Sequence, residues 1–154
     1  MFSAEQVSVF SELGALPHYN SDLDKAEGPA PVTRWRAALA NADGIVICTP
    51  EYAFGIPGVL KNALDWIASS GELLNKPVLA ISASPGYTGG DKAHASLLLT
   101  LSALAAQVIS SGSISISAVQ QKLNEQQQII DPALAATLAS GLHDLQQMIE
   151  NKKN

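Results

Sequence analysis

The side chains able to do chemistry in this 154-residue chain gather in and beside two loops. The first is Thr49-Pro50-Glu51-Tyr52-Ala53-Phe54-Gly55-Ile56-Pro57, which follows the apolar run Ile45–Cys48. The second is Ala83-Ser84-Pro85-Gly86-Tyr87-Thr88-Gly89-Gly90, which follows Pro77–Ser82. Loops leaving the carboxyl ends of strands are where open α/β sheets bind ligands, and glycine lets backbone come close to one; ordinary turn chemistry accounts for the second loop equally well. Asp91, Lys92 and His94 would suit proton transfer, and they equally suit a solvated first helical turn. Lys61 and Asp65 stand one turn apart, the spacing of a surface ion pair. The three histidines (His18, His94, His143) have no metal-ligand spacing. No Ser-His-Asp arrangement or paired carboxylates are evident. The single cysteine, Cys48, excludes an internal disulfide and reads as a small buried hydrophobe within a strand.

These loops need strands before them and helices after them. Ile45–Cys48 is short, apolar and β-branched, as a buried strand of a parallel sheet is. Val59, Leu60, Ala63, Leu64 and Ile67 then form one helical face up to about Ser70, with Pro57 in the first turn. Pro77–Ser82 is the next strand. Asp91 is a candidate cap for a helix reaching about Ala106, whose buried stripe is Leu97, Leu98, Leu101, Leu104 and Ala105. Upstream, Gln6–Phe10 alternates weakly as a short strand, and Leu13–Asp24 is a loop. Pro29 and Pro31 break the chain before a helical stripe of Val32, Trp35, Ala38, Leu39 and Ala42, which ends at Asp43-Gly44. Downstream, the segment from Val108 to Val119 holds an edge strand in which Ile114–Ser117 alternates with period two. Gln120–Ile130 is a polar connection. Asp131-Pro132 opens a last helix lined by Leu134, Leu138, Leu142, Leu145 and Ile149, and residues 152–154 are a frayed tail. The alternation implies one α/β domain over residues 1–154, a mostly parallel sheet with helices on both faces.

Hydrophobic residues make up 47% of the chain and charged residues 15%, which indicates a packed globular protein. The low charge also points to surface covered by a partner. With a net charge of −5 there is no basic stripe for nucleic acid. Ala93–Ile109 is too short and too polar to span a membrane, residues 1–15 have no signal-peptide pattern, and the cytoplasm is the expected compartment.

The pattern T-P-E-Y-x-x-x-x-P-G-x-L-K-N-A-x-D-W, Thr49–Trp66, resembles the signature loop and helix of the NAD(P)H-dependent FMN reductase family, which includes quinone, chromate and azo-dye reductases. The likeness extends with gaps from about Glu5 to the C-terminus and takes in Leu16-Pro17-His18-Tyr19-Asn20. It implies a flavodoxin-like three-layer α/β/α sandwich, FMN as cofactor and NADPH or NADH as co-substrate. Quinones or similar small acceptors would be reduced in two steps through FMN, with no obligatory protein acid or base. Pro50, Glu51, Tyr52 and Ala53 would lie along the flavin ring, Ala53 replacing the Asn often found in the family. Ser82, Ser84, Gly86, Gly89 and Gly90 match the second ring loop. The helix 57–69 would build a homodimer or homotetramer, with Trp66 in the subunit contact or under the sheet.

The family's first strand, Gly-Ser-x-Arg phosphate loop and first helix have no counterpart before Gln6. The strand 45–49 therefore needs a neighbour: residues 6–10, a strand from another subunit, or a segment of a longer reading frame. Flavin affinity is expected to suffer. The alternative functions are a truncated flavodoxin-like dimerising module with weak or no flavin binding and no catalysis, and a flavodoxin-like electron carrier.

Overall fold

The computed structural model describes Ser3 and residues 6–153. Its regular elements are α1 (Ala30–Asn41), β1 (Ile45–Thr49), α2 (Gly58–Asp65), β2 (Pro77–Ala83), α3 (Asp91–Ala103), β3 (Gln107–Val108), β4 (Ile114–Ile116) and α4 (Pro132–Lys153). Every strand pairing is parallel. β2 is central, with β1 on one side and β3 followed by β4 on the other. β2 is buried from Pro77 to Ser82, as expected of a parallel strand with a partner on each edge and helices on each face.

The period of two divides the core. Val78 and Ala80 point to the side covered by α1, α2 and α3, where they meet Trp35, Leu39, Leu64, Ile67, Leu97 and Leu101. Leu79 and Ile81 point the other way, against Leu134 and Leu145 of α4. The result is a three-layer α/β/α sandwich of the flavodoxin-like kind. α4 comes close because Gly141 meets Gly112: a Cβ at either would sit 2.5 Å from the other's Cα. No helix among the described residues is long and apolar enough to cross a membrane.

Several local expectations change. Gln6–Phe10 joins no ladder. Val7 and Val9 are exposed, and only Phe10 is anchored, its ring 4.9 Å from that of Trp35. Among the described residues β1 is accordingly an edge strand rather than the expected buried strand with a neighbour on each side. Val46 is 48% exposed, and Cys48, expected in the core, is exposed. Both lie beyond the reach of α4, on the face that takes Leu79 and Ile81 in β2. Pro31 does not break the chain but sits in the first turn of α1, where the lack of an N–H is harmless. α2 ends at Asp65 rather than near Ser70. Lys152 and Lys153 are helical rather than frayed, Lys153 pairing with Asp43 at 2.7 Å; Asn154 lies outside the described residues.

Other expectations hold. Asp131 accepts a hydrogen bond from Leu134 N at 2.8 Å and Pro132 opens α4. β4 is an edge strand. Lys76 donates to the carbonyls of Leu39 and Ala42 at the end of α1, satisfying acceptors that the helix leaves free.

The signature helix is a clamp on the upstream loop. The Pro17 carbonyl accepts from Asn62 Nδ2 at 2.9 Å and Trp66 Nε1 at 2.7 Å, and Tyr19 N donates to Asn62 Oδ1 at 2.8 Å. Trp66 is wholly buried in the α1–α3 core, which settles its place as under the sheet. Lys61 and Asp65 form the expected exposed ion pair, at 2.5 Å.

Candidate functional site

The parallel register sets Thr49 beside Ser82, and Ser82 beside Ser115. A row of hydroxyls thus crosses the sheet just below the two loops. Thr49 is 3% exposed and Ser82 0%, a deep position for polar side chains, and both are hydrogen-bonded, as burial requires. Thr49 Oγ1 donates to Pro50 O at 3.0 Å. Ser82 Oγ donates to Gly89 O at 2.9 Å and lies 3.1 Å from Ser115 Oγ. These hydroxyls fasten the roots of the loops.

The loop after β1 folds back at once. Tyr52 and Gly55 exchange both backbone hydrogen bonds, each 3.0 Å. Ala53 and Phe54 between them have φ of +49° and +61°, the left-handed pair of a type I′ turn that favours Asn-Gly. The tip lifts Phe54, 81% exposed, clear of the fold, with Tyr52 also exposed. Pro50 is exposed at the root of the turn.

The loop after β2 is held from the other side. Gly86 N donates to Ser84 Oγ at 3.0 Å, Ala118 N to Gly86 O at 3.0 Å, and Val119 N to Ser84 O at 3.1 Å. Gly89 has φ +65°, and a Cβ there would lie 2.8 Å from Ser117 N; it is the approach of β4 that demands glycine here. Gly86 has only the neighbouring Ser84 hydroxyl near it. Tyr87 is 95% exposed.

Glu51 joins the loops. Its Oε2 accepts from Ala93 N, in the first turn of α3, at 2.9 Å. The expected cap, Asp91, makes no cap: the N-cap position is Gly90, with φ +78° and no capping side chain, while Asp91 turns to Lys92 at 3.1 Å. His94 follows. Its Nδ1 is buried without a partner, and burial pushes its pKa below the ordinary imidazole value, which favours the neutral ring at neutral pH.

Pro50, Glu51, Tyr52 and Ala53 thus share one rim with Ser84 and Gly86, while Ser82 and Gly89 lie beneath and behind as supports. Ser115 does not stand out as a site residue in the sequence, and Thr49 does so only as the first residue of the loop pattern. The hydroxyl at the carboxyl end of each strand acquires meaning once the register is known.

The backbone N–H groups of Glu51, Ala53, Phe54, Tyr87 and Thr88 have no hydrogen-bond partner among the described residues. Unbonded donors beside exposed aromatic rings suit a flat heteroaromatic ligand with acceptor atoms along its edge. No group of side chains able to hold a metal ion is found among the described residues.

The sequence profile described as NADPH-dependent FMN reductase matches residues 2–121. A quinone reductase of Escherichia coli strain K12 is 32% identical over 152 residues, covering 96% of this chain and 81% of its own. An NAD(P)H-dependent FMN reductase of Pseudomonas aeruginosa is 30% identical, covering 88% and 75%. Among solved structures, the flavoenzyme NAD(P)H:(acceptor) oxidoreductase FerB from Paracoccus denitrificans superposes with a TM-score of 0.75 at 29% identity, covering 90% of this chain and 78% of FerB.

Proposed function

The chain belongs to the NADPH-dependent FMN reductase family, and from that membership we propose that it passes electrons from NAD(P)H to a quinone or a comparable small acceptor. It is an NAD(P)H-dependent FMN reductase-type enzyme, with FMN as cofactor and NAD(P)H as co-substrate. When bound, FMN supplies the redox chemistry, accepting two electrons as hydride from the nicotinamide and handing two on to the acceptor.

The observation that carries this reading is the pair of adjacent loops whose backbone donors are unbonded and whose aromatic side chains are exposed. Pro50, Glu51, Tyr52 and Ala53 supply the backbone wall along one edge of the ring, and Ser84 to Thr88 the other. Tyr52, Phe54 and Tyr87 give flat apolar surface over which a nicotinamide or a quinone stacks, with less water around the transferring hydrogen. Ser82, Ser115 and Gly89 keep the second loop at its height above the sheet. Protons needed by the reduced acceptor come from solvent.

A homodimer through α2 accords with the exposed Leu99 on α3, which lies beside Lys61 and Asp65 of α2.

Adding FMN, NADPH and a benzoquinone to the purified protein tests the reading. Without oxygen, nicotinamide absorbance should fall by one equivalent per bound flavin and continue to fall once quinone is added, and the protein should quench flavin fluorescence as it binds. A protein that leaves FMN fluorescence untouched and oxidises no NAD(P)H would be the non-catalytic flavodoxin-like module instead. Flavin binding without nicotinamide oxidation would identify an electron carrier.

A further inference from the structure

We propose that Glu51 is a positioning residue whose carboxylate, by capping α3 from the neighbouring loop, fixes the separation of the loops after β1 and β2 without touching the ligand. The proposal rests on the reading of those loops as the flavin site.

Three features converge on it. First, α3 starts without a cap of its own. Gly90 precedes it in the left-handed region and provides no side chain, and Asp91 is turned to Lys92. The first turn of a helix has N–H groups with no partner inside the helix and carries partial positive charge. Glu51 answers both, its Oε2 lying 2.9 Å from Ala93 N across 42 positions of sequence.

Second, the contact is packed as well as bonded. A Cβ at Gly90 would lie 3.2 Å from Glu51 Cβ and 3.5 Å from Ser82 Cβ. Glycine at 90 therefore leaves the space that the Glu51 stem takes, and any larger residue would push the loops apart.

Third, the Glu51 carboxylate has no lysine, arginine or histidine ion-pair partner among the described residues. The helix end is its charge partner. Because the helix holds the side chain, it is the backbone of 51–54 that is offered to the ring. Ser82, Ala118 and Val119 hold the second loop, and Glu51 ties the first loop to the helix that follows the second.

Two variants separate the parts of this role. Glu51→Gln keeps an oxygen acceptor and should bind FMN within about threefold of the unaltered protein. Glu51→Met keeps the stem and loses the acceptor; its dissociation constant for FMN should rise about tenfold, as expected for losing one charge-assisted hydrogen bond, and the flavin that does bind should keep more of its free fluorescence. Asp91→Ala, which removes a carboxylate from the same helix end but not the link, should leave binding unchanged.

Hydrogen exchange reads the link without flavin. The Ala93 amide should be protected in the unaltered protein and in Glu51→Gln, and should exchange faster in Glu51→Met. Equal flavin binding in all three variants, or an equal loss in Glu51→Gln and Glu51→Met, overturns the proposal. If the unaltered protein binds no flavin, the functional reading fails while the exchange of Ala93 still decides whether Glu51 joins the loops. An unprotected Ala93 amide in the unaltered protein overturns the link even if Glu51→Met does not fold.

Discussion

At the residue scale, the clearest tension lies in the turn Ala53-Phe54. Both are held at positive φ, where a side chain with Cβ is disfavoured by about 1 kcal/mol or more. Strain of this kind persists where the surroundings enforce it, and it gathers at ligand-binding loops. Here the Tyr52–Gly55 bonds enforce it. Asn tolerates the left-handed region better than Ala, so Ala53→Asn should stabilise the protein by about 0.5–1 kcal/mol, seen as a higher urea midpoint with an unchanged slope. A lower midpoint would mean that the Ala53 methyl packs in a way that outweighs the backbone gain. Cys48 teaches the opposite lesson: a residue typical of cores is exposed because of what stands beside its strand, and its own chemistry did not decide that.

At the element scale, the segment from Pro17 to Asp24 has little regular structure and is held by side chains of α1 and α2. Asp24 accepts from Arg36 Nη2 at 2.5 Å and from Ser69 Oγ at 2.7 Å, and Arg36 also donates to Trp66 O at 2.6 Å. The Ser69 hydroxyl and the Arg36 guanidinium hold the Asp24 carboxyl below the usual value of 3.8. A carboxylate whose pKa is lower when folded than when unfolded adds stability above its unfolded pKa. That contribution fades as the pH falls from there through the folded value. Asp24→Asn should therefore cost about 1–2 kcal/mol at neutral pH. The gap between the two proteins should stay level down to about pH 4–5 and close below that, as thermal melts across pH would show. A gap that grew on acidification would refute the assignment.

At the scale of the whole molecule, the architecture is that of a flavodoxin-like sheet whose β1 edge has no partner among the described residues. Helices cover one face throughout, and α4 covers the other only over β2 and its far neighbours. The unbonded donors described above belong to the two loops that follow β1 and β2. FMN and riboflavin differ by the phosphate, so affinities within about threefold of each other would mean that the loops after β1 and β2 carry the binding, whereas several charge-assisted phosphate contacts would separate them by orders of magnitude. Parallel titrations of flavin fluorescence make the comparison. A preference for FMN above about a hundredfold would show that charged groups of this chain reach the phosphate.

The sequence by itself determined the local pieces. Strand runs at 45–48 and 77–82, each one residue short of the strand formed, helices with apolar stripes after them, and the Asp131-Pro132 start of α4 all follow from periodicity and capping. These signals are local and survive in any fold. The pattern Thr49–Trp66 carried the family, and it holds Asn62 and Trp66, which clamp Pro17. Only the tertiary structure decided which strand is central, that residues 6–10 stand outside the sheet, and that Cys48 is exposed, since burial of a strand is a property of its neighbours. It also decided that Glu51, distant in sequence, caps α3 in place of Asp91, and that Thr49, Ser82 and Ser115 fall in line under the loops. Those facts depend on register and on contacts between remote segments, and no short stretch of sequence encodes them.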